Sequence, residues 1–290
     1  MSSAATSAAA NVGRRPSALW WALLAAFAAA PFGIGWAGND QRPASAYPWL
    51  TPPPMVPAVA EAVVIIDDLG DDLKAGRRTL ALPGAVTVAV LPHTPYGRRL
   101  AEEAAASGRE VMLHMPMQAK NGLDPGPGAL TLDMDESQVR RELRRALRNI
   151  PHARGVNNHM GSLLTRHPGH MAWVMDELRT AGGFYFIDSR TSARSVALNI
   201  AAEHGLGHAR RHVFLDSSRE PEEIRRQLES LVVQARRWGA AVAIGHPYPE
   251  TLEVLERELP RLKRQGVRLV PASRVAQPPI LKEVSQWVSE

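Results

Sequence analysis

The chain of 290 residues contains no cysteine, and only 6% of its residues are aromatic. Without cysteine there is no disulfide framework, no thiolate metal site and no cysteine nucleophile. A metal site in this chain must use histidine nitrogens and carboxylate oxygens, which indicates a borderline divalent cation. Zinc is the leading candidate, and iron, manganese or cobalt could use the same ligands.

A basic patch interleaved with aromatic residues is also missing, although the formal net charge is +5. Nucleic acid is therefore not an expected partner. Many arginines repeat along one predicted helix: Arg140, Arg141, Arg144, Arg145 and Arg148. This spacing is typical of a solvated helix face. Attraction to an anionic surface, such as phospholipid or an acidic glycan, is the alternative.

No charged residue interrupts the apolar run from Ala18 to about Trp36, which follows Arg14 and Arg15. Its length of about 19 residues is close to the roughly 20 that span a bilayer. Residues 1–37 are therefore predicted to be a signal peptide or a membrane anchor. Because the arginines precede the run, we expect an exported protein, either periplasmic or anchored in the inner membrane and facing the periplasm. The membrane is a partner only if the segment is not cleaved.

The folded domain is predicted to span residues 61–275. Residues 38–60 contain six prolines and are typical of an extended linker. Residues 276–290 form a tail without a clear role.

Short apolar runs alternate with helical patterns throughout this domain. The predicted strands are 62–66, 86–91, 110–115, 155–158, 184–188, 213–216, 241–245 and 267–270, and the predicted helices are 71–82, 94–108, 135–149, 168–181, 218–238 and 249–265. Such alternation predicts a parallel sheet with crossover helices. The fold class is therefore α/β, as a distorted barrel of seven or eight (β/α) units with parallel strands. An open doubly wound sheet is the alternative.

Polar residues follow seven of the predicted strands where each strand ends. They are Asp67, Asp68, His93, His114, Asn157, Asn158, His159, Asp188, Asp216 and His246. A single aspartate after a strand is usually a helix N-cap, and a lone buried histidine usually belongs to the core. In a parallel α/β barrel, however, the carboxyl ends of the strands form one rim, where active sites lie. Seven such strand ends therefore predict a shared polar site.

Six motifs occur in the order IIDDLG (65–70), LHMPM (113–117), VNNHMGS (156–162), FIDSRT (186–191), FLD (214–216) and IGHP (244–247). Together they resemble the divergent polysaccharide deacetylase family, over about Val63 to Ala272. The resemblance implies a distorted (β/α) barrel that removes N- or O-acetyl groups from glycans such as chitin and peptidoglycan, with a bound divalent metal.

By the same resemblance, Asp67 is the general base, Asp68 and His114 bind the metal, and His246 is the general acid. The wider superfamily places a second ligand histidine a few residues after the first, but residues 115–118 of this chain contain none. His159 is therefore predicted as the third ligand. The superfamily's R-x-P-x-G motif is replaced here by residues 156–162.

The remaining polar residues at the strand ends are given supporting roles. Asp188 or Asp216 is expected to orient a histidine through its second nitrogen. Arg190 is expected to pair with Asp67 or with an acidic substrate. Asn157 and Asn158 are expected to donate hydrogen bonds to substrate or to hold the turn.

The sequence thus predicts a metal-dependent hydrolase that acts on an acetylated glycan or cell-wall polysaccharide in the cell envelope. The alternative is a catalytically weak or inactive, metal-containing module that binds glycan. A membrane-tethered assembly protein is a third possibility.

Overall fold

The computed structural model describes residues 59–276. Within this range nine strands form one sheet. They are β1 (Ala60–Leu69), β2 (Thr87–Val90), β3 (Val111–Met117), β4 (Ala153–Met160), β5 (Tyr185–Asp188), β6 (Gly207–Arg210), β7 (Val213–Phe214), β8 (Ala240–Gly245) and β9 (Val267–Leu269).

Helices connect most of these strands on the outer side of the sheet. They are α1 (Leu73–Leu80), α2 (Gly97–Ala106), α3 (Glu136–Asn149), α4 (Pro168–Ala181), α5 (Ala197–Glu203), α6 (Pro221–Trp238), α7 (Pro249–Leu262) and α8 (Ala272–Val275). The helix starts follow local chemistry: the Asp72 carboxylate accepts the backbone N–H groups of Lys74 and Ala75, and Pro249 occupies the first turn of α7.

The strands are all parallel and lie in the order β6-β5-β4-β3-β2-β1-β8-β7, with β9 paired to the start of β1. The two edge strands, β6 and β7, are separated in the chain only by Arg211 and His212. Three residue steps span at most about 11 Å, so the sheet must curl until its edges come together. This geometry confirms the predicted distorted α/β barrel over the open sheet.

Two faces of the curled sheet bury two different apolar layers. Alternate residues of β1, such as Val64 and Ile66, pack against the outer helices, whereas Val63 and Ile65 fill the barrel interior. The interior is narrow: a Cβ on Gly155 of β4 would lie 2.3 Å from the Tyr185 ring of β5. Because side chains alternate between faces, the next interior position of β1 after Ile65 belongs to Asp67.

The predicted elements differ from the structure mainly between Asp188 and Val213, where no strand was predicted. Helix α5 and strand β6 lie there. The sequence of β6, Gly-His-Ala-Arg, has no apolar run, so its strand conformation depends on pairing with β5. The predicted loop 116–132 is also shorter, because β3 continues to Met117 and Leu130 hydrogen-bonds back to Pro116 and Gln118.

Three predicted segments fall outside the described residues. They are the signal peptide or anchor (1–37), the linker (38–60) except for its last two residues, and the tail (276–290) except for Ala276. Among residues 59–276, no helix has both the length and the apolar character to cross a bilayer.

Candidate active site

A bulge in β1 turns two consecutive aspartates toward the same neighbour. The register between β1 and β2 shifts between Ile66 and Leu69, and Asp68 has a left-handed backbone with φ of 58°. In a regular strand Asp67 and Asp68 would face opposite sides of the sheet, but a bulge re-aims one of them. As a result, His114 Nε2 lies 3.6 Å from Asp67 Oδ2 and 3.1 Å from Asp68 Oδ1.

Three side chains converge on one point at the rim. Asp68 Oδ1 lies 2.8 Å from His159 Nδ1 and 3.1 Å from His114 Nε2, and the two histidine nitrogens are 3.2 Å apart. Neighbouring ligand atoms of a tetrahedral zinc ion are separated by roughly 3.3 Å, given bonds of about 2.0–2.1 Å. Asp68 Oδ1 is buried and, among the described residues, no group makes a well-oriented hydrogen bond to it. Asp68, His114 and His159 therefore fit a divalent cation and form a possible metal site.

The register between β3 and β4 explains how His159 reaches this point. His114 is paired with Asn157, and Pro116 with His159. His114 and His159 therefore share the interior face of the barrel, two residues apart on adjacent parallel strands. The neighbouring strand thus supplies a second imidazole that β3 itself does not contain.

Asn157 connects the metal site to Asp67. Its Nδ2 donates to Asp67 Oδ1 at 2.8 Å, and its Oδ1 lies 2.8 Å from His114 Nδ1. An amide oxygen only accepts, so His114 Nδ1 carries a proton and donates it to Asn157, which leaves Nε2 facing Asp68. The amide of Asn157 thus fixes the ring of His114 and has both of its ends engaged within the protein.

His246 is held by a buried aspartate. Asp216 Oδ1 lies 2.9 Å from His246 Nδ1, and Asp216 Oδ2 accepts the backbone N–H of His246 at 2.6 Å and the hydroxyl of Thr251 at 2.9 Å. His246 Nε2 lies 3.8 Å from Asp68 Oδ2. This contact leaves Nε2 on the side of the metal site, with the ring orientation set by Asp216.

The charges of the site are strongly coupled. Burial raises the pKa of Asp67, and the nearby His114 and His246 only partly oppose this rise. Burial would also raise the pKa of Asp68, but two imidazoles hold it far below its usual range. Burial lowers the pKa of His114, yet Asp67 and Asp68 outweigh burial and raise it to about 9. Burial lowers the pKa of His246 as well, and hydrogen bonding to Asp216 raises it above its ordinary value. The paired carboxylates therefore favour a positive charge beside them.

Asp188 and Asn158 hold the turn after β5. Asp188 Oδ1 accepts the backbone N–H of Arg190 at 2.8 Å, and burial raises the pKa of Asp188. Asn158 Oδ1 accepts the N–H of Ser189 at 3.0 Å, while its Nδ2 donates to the carbonyl of Met160 at 2.7 Å. Of the two aspartates predicted to orient a histidine, Asp216 is the one that contacts one.

Arg190 does not pair with Asp67 in the described part of the chain. Arg211, which was not among the predicted site residues, lies within electrostatic reach of Asp67: burial lowers the pKa of Arg211, and Asp67 opposes this. Its Nε donates to the carbonyl of Ser189 at 2.7 Å and its Nη2 to that of Arg190 at 3.0 Å. Because β6 was not predicted, no signal placed Arg211 at a strand end.

Backbone strain is concentrated at the same rim. Among residues 59–276, five residues other than glycine have positive φ, and four of them follow or end strands at the carboxyl rim. These four are Asp68, His93, Met160 and Arg190. Left-handed backbone in such residues persists only where the surroundings enforce it, and it clusters at functional sites.

The fold and the site define an α/β barrel protein with a possible metal site at the carboxyl ends of its strands. Residues 64–276 match the family described as divergent polysaccharide deacetylase. The chain therefore belongs to the divergent polysaccharide deacetylase family, and the resemblance seen in its motifs is confirmed.

Relatives of similar length extend this match. An uncharacterized protein from Haemophilus influenzae is 39% identical over 213 residues, which cover 73% of this chain and 75% of the relative. The uncharacterized protein YibQ from Escherichia coli K12 is 37% identical over 216 residues, covering 74% of this chain and 67% of the relative. Among solved structures, uncharacterized protein ATU2773 from Agrobacterium tumefaciens C58 shares the fold, with a TM-score of 0.71, 23% identity and coverage of 74% of this chain and 89% of that one.

Proposed function

We propose that this protein is a metal-dependent hydrolase that removes acetyl groups from a glycan of the cell envelope. The observation that carries the proposal is the convergence of Asp68, His114 and His159 beside Asp67 and the Nε2 atom of His246. Membership of the divergent polysaccharide deacetylase family supports a carbohydrate substrate. The apolar run in residues 1–37 supports export to the periplasm, in cleaved or anchored form.

The metal would be held by two imidazole nitrogens and one carboxylate oxygen, a ligand set that suits zinc and leaves a coordination position open. A divalent cation bound there would polarise the acyl carbonyl and make a water molecule more acidic. Asn157 would hold a proton on His114 Nδ1, so that Nε2 is the nitrogen aimed at the site. The residues that are present therefore supply both the ligands and the group that orients one of them.

Asp67 is proposed as the general base. It is buried, it lies 3.6 Å from His114 Nε2, and burial raises its pKa, which makes it a stronger proton acceptor than an exposed aspartate. In this role Asp67 takes the proton of the attacking water while Asn157 holds its other oxygen in place.

His246 is proposed as the general acid. Asp216 accepts a hydrogen bond from the Nδ1–H of His246 and stabilises the protonated ring, so that Nε2 can donate its proton to the leaving amine or alkoxide. Both proton-transfer groups thus lie beside Asp68: Asp67 precedes it in β1, and His246 Nε2 is 3.8 Å from its Oδ2.

The direct test is acetate release from acetylated cell-wall fragments by zinc-loaded protein. We expect release to be lost after treatment with a chelator and restored when zinc is added back, because three of the proposed site residues act only through the cation. Release that continues unchanged in metal-free protein would contradict the proposal. Glycan binding by the metal-loaded protein without any acetate release would instead identify a binding module.

A further inference from the structure

The rim beside His246 carries three arginines. Arg190 follows β5, Arg211 follows β6, and Arg219 follows β7. All three lie in segments that leave the carboxyl ends of parallel strands, which is the side of a barrel where substrates bind. These residues are referred to below as the arginine wall.

Two members of the arginine wall, Arg211 and Arg219, contact aromatic rings that lie beside the proposed general acid. The ring centroid of His246 lies 5.5 Å from that of Tyr248 and 5.5 Å from that of Phe214. The guanidinium of Arg219 lies 3.8 Å from the centroid of Tyr248, and that of Arg211 lies 4.7 Å from the centroid of Phe214. A guanidinium group therefore lies against each of the two aromatic rings that neighbour His246.

In the described part of the chain, none of these three guanidinium groups is in direct contact with a carboxylate. Within residues 59–276, the side chains of Arg190 and Arg219 form no hydrogen bond and no ion pair. Arg211 donates to two backbone carbonyls, which carry no net charge. Two carboxylates act on these groups only at longer range: Asp188 on Arg190 and Arg211, and Asp67 on Arg211. The hydrogen bonds of Asp188 and Asp216 go to the N–H of Arg190 and to His246.

Guanidinium groups at the mouth of a site favour an anionic ligand, because they bind carboxylates and phosphates through paired N–H donors. We propose that the arginine wall binds an anionic group of the substrate, a carboxylate or a phosphate, next to the acyl group that is hydrolysed. The inference rests on the proposed function, because it places that anion at the rim that holds His246. The substrate class is therefore an acidic, acylated sugar rather than a neutral one.

Equilibrium binding to purified, zinc-loaded protein at low salt tests the arginine wall without requiring turnover. The probes are N-acetylglucosamine, which is neutral, N-acetylmuramic acid, which carries a carboxylate, and N-acetylglucosamine 6-phosphate. We expect at least one anionic probe to bind about tenfold more tightly than the neutral one, since charge-assisted hydrogen bonds contribute on this scale. The probe that is preferred identifies the anion, and added salt should reduce the preference.

The variants Arg190→Gln and Arg219→Gln test which residues cause the preference. Both side chains lack hydrogen bonds in the described structure, so their replacement should leave the fold intact. Arg211 is not replaced, because its side chain donates to the carbonyl of Ser189 and so holds the turn after β5. Each variant should lose most of the preference for the anionic probe while binding the neutral probe as before. Arg237→Gln is the matched control, because Arg237 also lies over an aromatic ring, Trp238, but at the opposite end of α6.

Equal binding of the neutral and anionic probes by the unmodified protein would overturn the arginine wall. A preference for the anionic probe that persists in both variants would also contradict the proposal, since the anion would then be bound by the zinc ion. If the protein releases acetate but does not prefer the anionic probes, only the proposal that the arginine wall binds an anion is contradicted. Anionic preference that depends on Arg190 and Arg219, in a protein that releases no acetate, supports the wall and removes the proposed function.

Discussion

Replacing His114 with alanine is expected to abolish stoichiometric metal binding. His114 is buried, and its Nε2 is one of the three atoms that converge with Asp68 and His159. Loss of an outer hydrogen-bond partner typically weakens metal binding by about 10- to 100-fold, so loss of a ligand should exceed about 100-fold. Metal content by mass spectrometry and zinc affinity by chelator competition measure the change.

The control for His114→Ala is His93→Asn. His93 also follows a strand at the rim, but it is not part of the converging set, and asparagine tolerates its left-handed backbone. This variant should keep full metal content. If His114→Ala does not fold, His159→Ala makes the same test at a less buried ligand. Full metal content in a folded His114→Ala protein would remove His114 from the ligand set.

Asp67→Asn is expected to reduce acetate release by about 10²- to 10⁴-fold, the usual contribution of a general base. Asparagine keeps the shape of the side chain and can still accept the hydrogen bond from Asn157, but it cannot take a proton. Metal content should remain near that of the unmodified protein, because Asp68, His114 and His159 are unchanged. Initial rates of acetate release and metal analysis on the same preparation provide the measurement.

Asp72→Asn is the matched control for Asp67→Asn. It removes a carboxylate only five residues further along the chain, and asparagine caps a helix about as well as aspartate does. Its rate should stay within about twofold of the unmodified protein, since surface substitutions of this kind change little. Undiminished turnover in Asp67→Asn would assign the base role to another group.

The barrel fold, and the polar residues that end its apolar strands at one rim, could be predicted directly from the sequence. Parallel strands that are buried on both faces read as apolar runs, and each run ends in a polar residue that the topology delivers to one rim. Two-residue alternation along β1, β3 and β8 further places Asp67, His114 and His246 on the interior face, after Ile65, Met112 and Ile244.

Local backbone geometry could not be predicted in the same way. Asp67 and Asp68 contact the same histidine only because β1 bulges and Asp68 adopts positive φ. The bulge depends on pairing with β2, so it is a property of the assembled sheet and has no signature in residues 65–70.

Strand pairing also determines the part of the rim formed by β6 and Arg211, which the sequence did not predict. Strand β6 contains glycine, histidine and arginine, and it becomes a strand because β5 offers an edge. Its length places Arg211 next to Ser189 and within electrostatic reach of Asp67. A pattern search for apolar runs misses both the strand and the arginine.

The position of His159 shows what a motif comparison can and cannot supply. The absence of a second histidine in residues 115–118 predicts that the third ligand comes from another segment. Only the register of β4 against β3 shows that His159, rather than another polar residue of the 156–162 motif, lies beside His114.

The proposed function depends on the binding of one divalent cation by Asp68, His114 and His159. An anomalous-scattering map from crystals of zinc-loaded protein, collected on both sides of the zinc absorption edge, tests this claim most directly. We expect one strong peak within about 2.0–2.2 Å of Asp68 Oδ1, His114 Nε2 and His159 Nδ1. A zinc-loaded crystal without a peak at these three atoms, or with its zinc bound by other side chains, would contradict it.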